Sequence, residues 1–317
     1  MIVNIPTKID FETVAKENLT QAFNLLYKVY EDYSYYDDEI IKEEVPINDI
    51  WKHHNGTLRT ALILLHQAIE GLMKAGICET SPLLLIDKPR KDWPSLPQSE
   101  NKDFDNLYTI GGEALLSTFC AVNSKIDINS NLINFIEEIR KKRNQVIHGF
   151  NKSNVTTKYI IENILKIFTI WFGKDNWLKE LKIHLIESPL FGYFDYDFES
   201  ANSYKYLDFV LFILGKNKLS KYVSFDIKGR EYFCPKCKSD IDGDYGELIS
   251  KWAFLNPNIP NSTNLSCTNC QENFEVKRKK CIEANCKGNV VFYDEENSGD
   301  TTCLTCFSSQ DTEKYSS

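Results

Sequence analysis

The chain has 317 residues, of which 42% are apolar and 13% aromatic, and its formal net charge is −8. This composition provides for one sizeable hydrophobic core and argues against a disordered chain. The negative charge argues against a protein that coats nucleic acid without selectivity. Residues 31–49 hold eight acids and one lysine, a net of −7, which leaves −1 for the rest of the chain.

Helical periodicity dominates the first two thirds of the chain. Apolar residues at helical spacing predict a helix over 11–30, with the acidic stretch 31–49 as a loop. A long helix is predicted from a cap at Asn55 or Thr57 to about residue 77. It is apolar around most of its circumference, which predicts a central position. Residues 79–106 hold four of the ten prolines and predict an irregular excursion. Further helices are predicted over 112–122, 130–148 and 155–172, the last continuing to residue 187.

The pattern changes towards the C-terminus. Residues 191–212 are rich in Phe and Tyr, which favours core or dimer surface over a platform that stacks bases. From about residue 230, short β-like pieces alternate with cysteine turns. The predicted fold class is mainly α, a helical bundle followed by two small modules of short β-hairpins. The predicted segments are 1–50 (helix and acidic loop), 51–190 (bundle), 191–230 (aromatic and basic connector), 231–276 and 277–317 (the two modules).

Eight of the ten cysteines form four closely spaced pairs in the last 84 residues. Two pairs supply four thiolates, which suits a tetrahedral zinc ion in a closed structural site. All five histidines precede residue 185, so the sites must be all-cysteine. Sequential pairing predicts two zinc-ribbon-like sites per chain, each binding one structural Zn²⁺. The predicted ligands are Cys234, Cys237, Cys267 and Cys270 for the first site, and Cys281, Cys286, Cys303 and Cys306 for the second.

Other interpretations of these cysteines remain open. A disulfide-stapled secreted domain would need an apolar signal stretch, whereas the chain begins MIVNIPTKID and shows no membrane-spanning run. We therefore expect a cytoplasmic protein with reduced thiolates and no membrane partner. Iron is the minor alternative, because Lys238 and Gln271 occupy the places of the knuckle glycines of rubredoxin-like sites. Spacing alone also allows crossed pairing of the knuckles. The lysines that follow the cysteines would offset the site charge and could face phosphate: Lys236, Lys238, Lys277, Lys279, Lys280 and Lys287.

One motif in the bundle could carry chemistry. Near the end of the predicted helix 130–148 stands IRKKRNQVIHGF, with Arg143, Asn144 and His148. This stretch resembles HEPN domains, small helical bundles whose nuclease members carry an arginine followed after four to six residues by a histidine. LLHQAIEGLMKAGI upstream resembles the long HEPN helix, with Ala68, Glu70 and Lys74 matching its pattern. The resemblance covers residues 51–190. Several toxin-type HEPN proteins have a tyrosine two residues after the histidine, where this chain has Phe150. The resemblance therefore implies no role for a tyrosine hydroxyl in this chain.

These residue types suit RNA cleavage without a metal. The ribose 2′-OH must lose a proton and attack phosphorus, and the 5′-oxygen must gain one. His148 titrates near neutral pH and can be base or acid, Arg143 can hold the phosphate, and Asn144 can orient the ring. Arg143 and His148 are about 140° apart on a regular helix, so they cannot converge there. Gly149 can end the helix and let the ring turn, or a two-fold dimer can bring two motifs together.

The resemblance implies an endoribonuclease that leaves 2′,3′-cyclic phosphate ends and acts on RNA as a homodimer. Related nucleases commonly act as toxins or in anti-phage defence, with an antitoxin or defence-system partner. One rival is a non-catalytic module that binds nucleic acid or protein, and another is a DNA-binding regulator that uses the ribbons. A purely structural role is also open, with the cations of 140–143 and His148 complementing the helix dipole. For His66 and Glu70, core packing is favoured over a metal site, although Glu70 could face the motif.

Overall fold

A computed structural model describes residues 1–35, 44–94, 100–149, 155–189, 197–242, 247–294 and 300–310. Its helices are α1 (Lys8–Tyr35), α2 (Ile47–His53), α3 (Asn55–Cys78), α4 (Gly112–Val122), α5 (Ser130–Ile147), α6 (Thr157–Phe172), α7 (Asn176–Ile186), α8 (Asp197–Leu214), α9 (Lys216–Leu219) and α10 (Pro235–Ile241). Its strands are β1 (Ile2–Val3), β2 (Lys102–Asp103), β3 (Ala253–Leu255), β4 (Asn264–Cys267), β5 (Asn273–Glu275), β6 (Val291–Tyr293) and β7 (Thr301–Cys303). The chain is therefore mainly helical, with small antiparallel sheets in its cysteine-rich C-terminal part.

The chain divides into two compact units, Met1–Trp171 and Phe172–Ser317. The sequence places boundaries near residues 50, 190 and 230 instead. Helix α1 packs along α3 within the first unit, and α7 and α8 pack together within the second. The Phe- and Tyr-rich stretch therefore shares a unit with the cysteines.

Helix α3 is the centre of the first unit. It packs against α1, α2, α4 and α5, and its buried side chains lie on most sides of the helix, as its uniformly apolar sequence predicts. A tight approach occurs at Gly76, where an added Cβ would lie 2.7 Å from the ring of Phe119 on α4. The short parallel pair of β1 and β2 ties the N-terminus to residues 102–103.

Among the described residues, α3 is the one helix long and apolar enough to cross a membrane, with a mean hydropathy of 1.3. A membrane-spanning run was not expected from the sequence. The helix also carries His66, Glu70 and Lys74, and it is covered by the helices around it. These features are those of a core helix.

The predicted helices of the first unit are observed with small shifts at their ends, but two predictions differ from the structure. Helix α1 continues to Tyr35, into the acidic stretch that was expected to be a loop. The helix expected to run from 155 to 187 is interrupted, because Gly173 and Asp175 have φ angles of 95° and 64°, outside the helical region. It continues as α7 in the second unit. The side chains of Tyr204 and Phe209 on α8 are buried, as core packing requires, while Phe212 is 52% exposed and residues 191–196 lie outside the described residues.

The cysteine-rich region contains two small sheets. Strands β3, β4 and β5 form an antiparallel sheet, and β6 and β7 form an antiparallel hairpin. The first cysteine pair does not lie on a hairpin as expected, since Cys234 caps the short helix α10 and Pro235 opens it. The residues around the two sites also interlock, because the Phe233 N–H donates to the Leu304 carbonyl and Phe233 packs edge-on against Phe307.

Candidate functional sites

The eight tail cysteines gather in two groups of four. Cys234, Cys237, Cys267 and Cys270 form one group, and Cys281, Cys286, Cys303 and Cys306 form the other; within each group the sulfur atoms lie within 4.8 Å of one another. The closest pairs are 3.7 and 3.9 Å apart in both groups. A tetrahedron with metal–sulfur bonds of about 2.3 Å has edges of about 3.8 Å. Each group can therefore hold one metal ion. The cysteine pairs are grouped in chain order, as the sequential pairing predicted.

The surroundings of the sulfur atoms also suit a metal. The amide of Asn269 donates to the Cys237 sulfur at 3.6 Å, and the Gly288 N–H donates to the Cys286 sulfur at 3.3 Å. Such donors orient thiolate ligands and offset their charge. Burial raises the pKa of the Cys303 thiol to about 12, and burial also raises the pKa of Cys267. A cation must displace these protons to bind, so metal affinity should fall as the pH falls.

The lysines after the cysteines are not equally available to a ligand. Lys238 is 4% exposed, and its ammonium group binds Asp242 at 2.8 Å and the Leu248 carbonyl at 2.9 Å. Lys236 pairs with Glu272. Lys238 was one of the six lysines expected to be able to face phosphate. That expectation is wrong for Lys238, because its side chain is buried and paired. Lys279, Lys280 and Lys287 are exposed.

Gly288 is a position where the second tetracysteine site depends on the absence of a side chain. An added Cβ would lie 2.6 Å from the Cys303 sulfur and 2.9 Å from Thr305. We expect Gly288→Ala to displace that sulfur and to weaken metal binding at the second site at least tenfold, with the first site unchanged. Chelator competition monitored by metal stoichiometry measures this. Gly111→Ala is the matched control, since nothing lies within 4 Å of its added Cβ; equal affinity in both variants would contradict the expectation.

The second candidate site surrounds Arg143 on α5. Its Nη1 donates to the Asn144 side-chain oxygen at 2.8 Å, and its Nε donates to His66 Nδ1 at 3.3 Å. Its Nη2 lies 3.3 and 3.4 Å from the two ring nitrogens of His66 and 3.9 Å from a carboxylate oxygen of Glu70. Glu70 therefore does face the motif. Arg143 remains 26% exposed, so solvent reaches the guanidinium.

His66 is held neutral in this cluster. The pKa of His66 is lowered to about 4, first because the ring is buried and then because Arg143 and Arg140 are positively charged. Arginine can only donate hydrogen bonds, so a ring nitrogen of His66 must accept. At neutral pH the imidazole is therefore an uncharged acceptor for the guanidinium. His66 was expected to be a core residue, and its side chain is buried. The sequence did not predict its polar contact with Arg143.

His148 directly follows the last residue of α5 and caps that helix. Its backbone N–H donates to the Asn144 carbonyl at 3.0 Å, and Gly149 follows with a φ of 75°, the left-handed conformation that ends helices. The His148 side chain is exposed and, among the described residues, has no hydrogen-bond partner. With six other residues of α5 it lines an open groove of about 620 Å³: Glu137, Glu138, Arg140, Lys141, Asn144 and Gln145.

The three predicted catalytic residues are thus connected but not converged. Asn144 contacts Arg143 and shares the groove with His148, while no contact joins Arg143 to His148 within the described part of one chain. Phe150 lies outside the described residues. Two of the cations near the motif have specific partners, since Arg140 binds Glu137 at 2.7 Å and Lys142 lies 4.8 Å from the centre of the Tyr159 ring.

Comparison with known proteins adds no relative. No family model matches the chain, and no significant match is found among curated proteins or among solved structures.

Proposed function

We propose that the protein is a metal-independent endoribonuclease of the HEPN type whose tail is stabilised by two zinc ions. The observation that carries the proposal is a partly exposed arginine held by His66 and Asn144, followed five residues later by an exposed histidine that lines a groove at the end of the same helix. Arg143 would bind the phosphate and stabilise its added charge in the transition state. His148 would transfer a proton, and Asn144 would hold the guanidinium through its side-chain oxygen.

Zinc is the metal we propose for the tail. Both sites consist of four thiolates, a ligand set and geometry typical of structural zinc, and neither leaves a position open for a reacting water. Iron is less favoured because the knuckle positions after Cys237 and Cys270 carry Lys238 and Gln271. Zinc therefore has a structural role in this proposal, and the reaction depends on the residues of α5.

The chemistry can be tested by substrate and product. RNA cleavage should proceed in EDTA on a timescale shorter than zinc loss, and the 5′ fragments should end in a 2′,3′-cyclic phosphate, because the neighbouring 2′-OH is the nucleophile. A matched oligonucleotide with 2′-deoxyribose should resist cleavage and still bind. Mass spectrometry of the products decides this. Cleavage of the deoxy oligonucleotide, or an absolute need for added Mg²⁺, would rule out the mechanism.

We also propose a homodimer, because one motif histidine per chain does not readily serve as both acid and base. An apolar side chain beside the motif supports this, since Ile147 is 53% exposed. Ile147→Glu should dissociate the dimer and lower RNA cleavage, measured by sedimentation velocity and initial rates. Ile249→Glu is the control, as that side chain is 80% exposed in the other unit. A monomer at micromolar concentration that cleaves RNA would contradict the dimer.

The rival function is a non-catalytic module that binds nucleic acid or protein. The specific observation in its favour is that every nitrogen of the Arg143 guanidinium already contacts a protein group. The rival predicts oligonucleotide or protein binding without cleavage, unaffected by replacement of His148. As a toxin or anti-phage effector, the nuclease would instead slow growth on expression, and replacement of His148 would relieve that effect.

A further inference from the structure

His66 is the buried titratable group that the proposed reaction leaves without a role. Its side chain is 5% exposed on the central helix α3, yet both ring nitrogens lie within 3.4 Å of the Arg143 guanidinium. The charged groups that face it are Arg143 and Arg140 from α5 and Glu70 on its own helix, whose carboxylate oxygen is 3.8 Å from Nδ1. A buried polar ring in a core position is costly unless it makes such contacts.

We propose that His66 is a positioning residue, whose neutral imidazole accepts hydrogen bonds from Arg143 and thereby fixes the guanidinium for phosphate binding. The inference rests on the proposed function in one respect, namely that a phosphodiester is the ligand of Arg143. His66 itself would not touch the substrate, because its side chain is buried.

The geometry explains why an acceptor is needed at this place. Arginine has five N–H groups in a planar fork. The Nε edge is directed to His66, and one N–H of Nη1 is directed to Asn144. This leaves up to two N–H groups, one on each terminal nitrogen, and these can bind two phosphate oxygens side by side. Glu70 alone would attract the guanidinium without fixing its plane, because its 3.9 Å separation is an ion pair and not a hydrogen bond.

Two substitutions of His66 distinguish its role as a hydrogen-bond acceptor from its role in core packing. His66→Asn keeps an acceptor near the position of Nδ1, whereas His66→Leu fills the core without one. We expect His66→Leu to remain folded and to bind a non-cleavable oligodeoxynucleotide about tenfold more weakly than the unaltered protein, as Arg143→Gln should. His66→Asn should bind within about threefold of the unaltered protein. His66→Leu added to Arg143→Gln should cost nothing further, since both changes remove the same contact.

A readout independent of binding and activity is the titration of His66 by NMR. The ring should titrate well below its ordinary range in the unaltered protein, first because it is buried and then because Arg143 is charged, and its titration should shift upward in Arg143→Gln. The inference is overturned if that titration does not move. Equal oligonucleotide affinity of His66→Asn and His66→Leu, including no affinity in either, also overturns it. Absence of RNA cleavage with the binding difference intact would instead refute the nuclease proposal alone.

Discussion

Replacing His148 with alanine should lower the rate of RNA cleavage by about 10²–10⁴-fold, the usual contribution of a positioned acid or base. The loss should fall on kcat, because proton transfer occurs in the transition state and not in substrate binding. The variant should stay folded, since the side chain is exposed and has no hydrogen-bond partner within the described residues. Initial rates on a short RNA at substrate saturation measure the effect.

Replacing Arg143 with alanine should lower the rate by a similar factor, by removing the charge that stabilises the five-coordinate phosphate. Arg143→Lys should recover little, because an ammonium group cannot reproduce the planar fork that His66 and Asn144 hold. His184→Ala and Arg90→Ala are matched controls, each an exposed residue of the same type outside the site. Cleavage that survives both motif replacements would place the activity elsewhere or in a contaminant.

The parts of the structure that could be predicted from sequence are those fixed by local spacing. Cysteines separated by two or four residues bracket a turn whatever the surrounding fold, whereas spacing alone left crossed grouping of the four pairs open and the structure has the sequential one. The central position of α3 could be predicted because it has few polar residues to expose. Gly149 signalled the end of α5, and its φ of 75° agrees with that.

The contact between His66 and Arg143 could not be predicted from spacing, because the two residues are separated by 76 others and belong to different helices. The available signal was a histidine on an otherwise apolar face, which more often indicates a satisfied core residue than a site. Nor could sequence predict that Lys238 is buried, since that depends on the position of Asp242 and of the Leu248 carbonyl. In both cases tertiary packing decides which polar groups meet.

Removing the metal should unfold the second unit and leave the first largely intact. Structural zinc in small domains contributes about 10–16 kcal/mol of apparent binding free energy, which is at the same time folding free energy. The effect should extend beyond the cysteine-rich tail, because α7 and α8 pack against the first site. The Ser203 hydroxyl donates to Asn269 at 2.5 Å, and the Tyr204 hydroxyl lies 4.0 Å from the Cys267 sulfur. The loss should therefore begin near residue 172 and not near residue 230.

Hydrogen exchange of the metal-free protein, prepared with a chelator under reducing conditions, tests this boundary. Amides of α1, α3 and α5 should keep their protection, while those of α7, α8 and the β3–β5 sheet should lose it. Elemental analysis beforehand should find two zinc ions per chain; one ion, or iron, would contradict the assignment. Cys267→Ser, at a buried ligand, should reproduce the loss more fully than Cys306→Ser, at an exposed one. Continued protection of α8 after metal removal would mean that its packing on the first site does not depend on the ion.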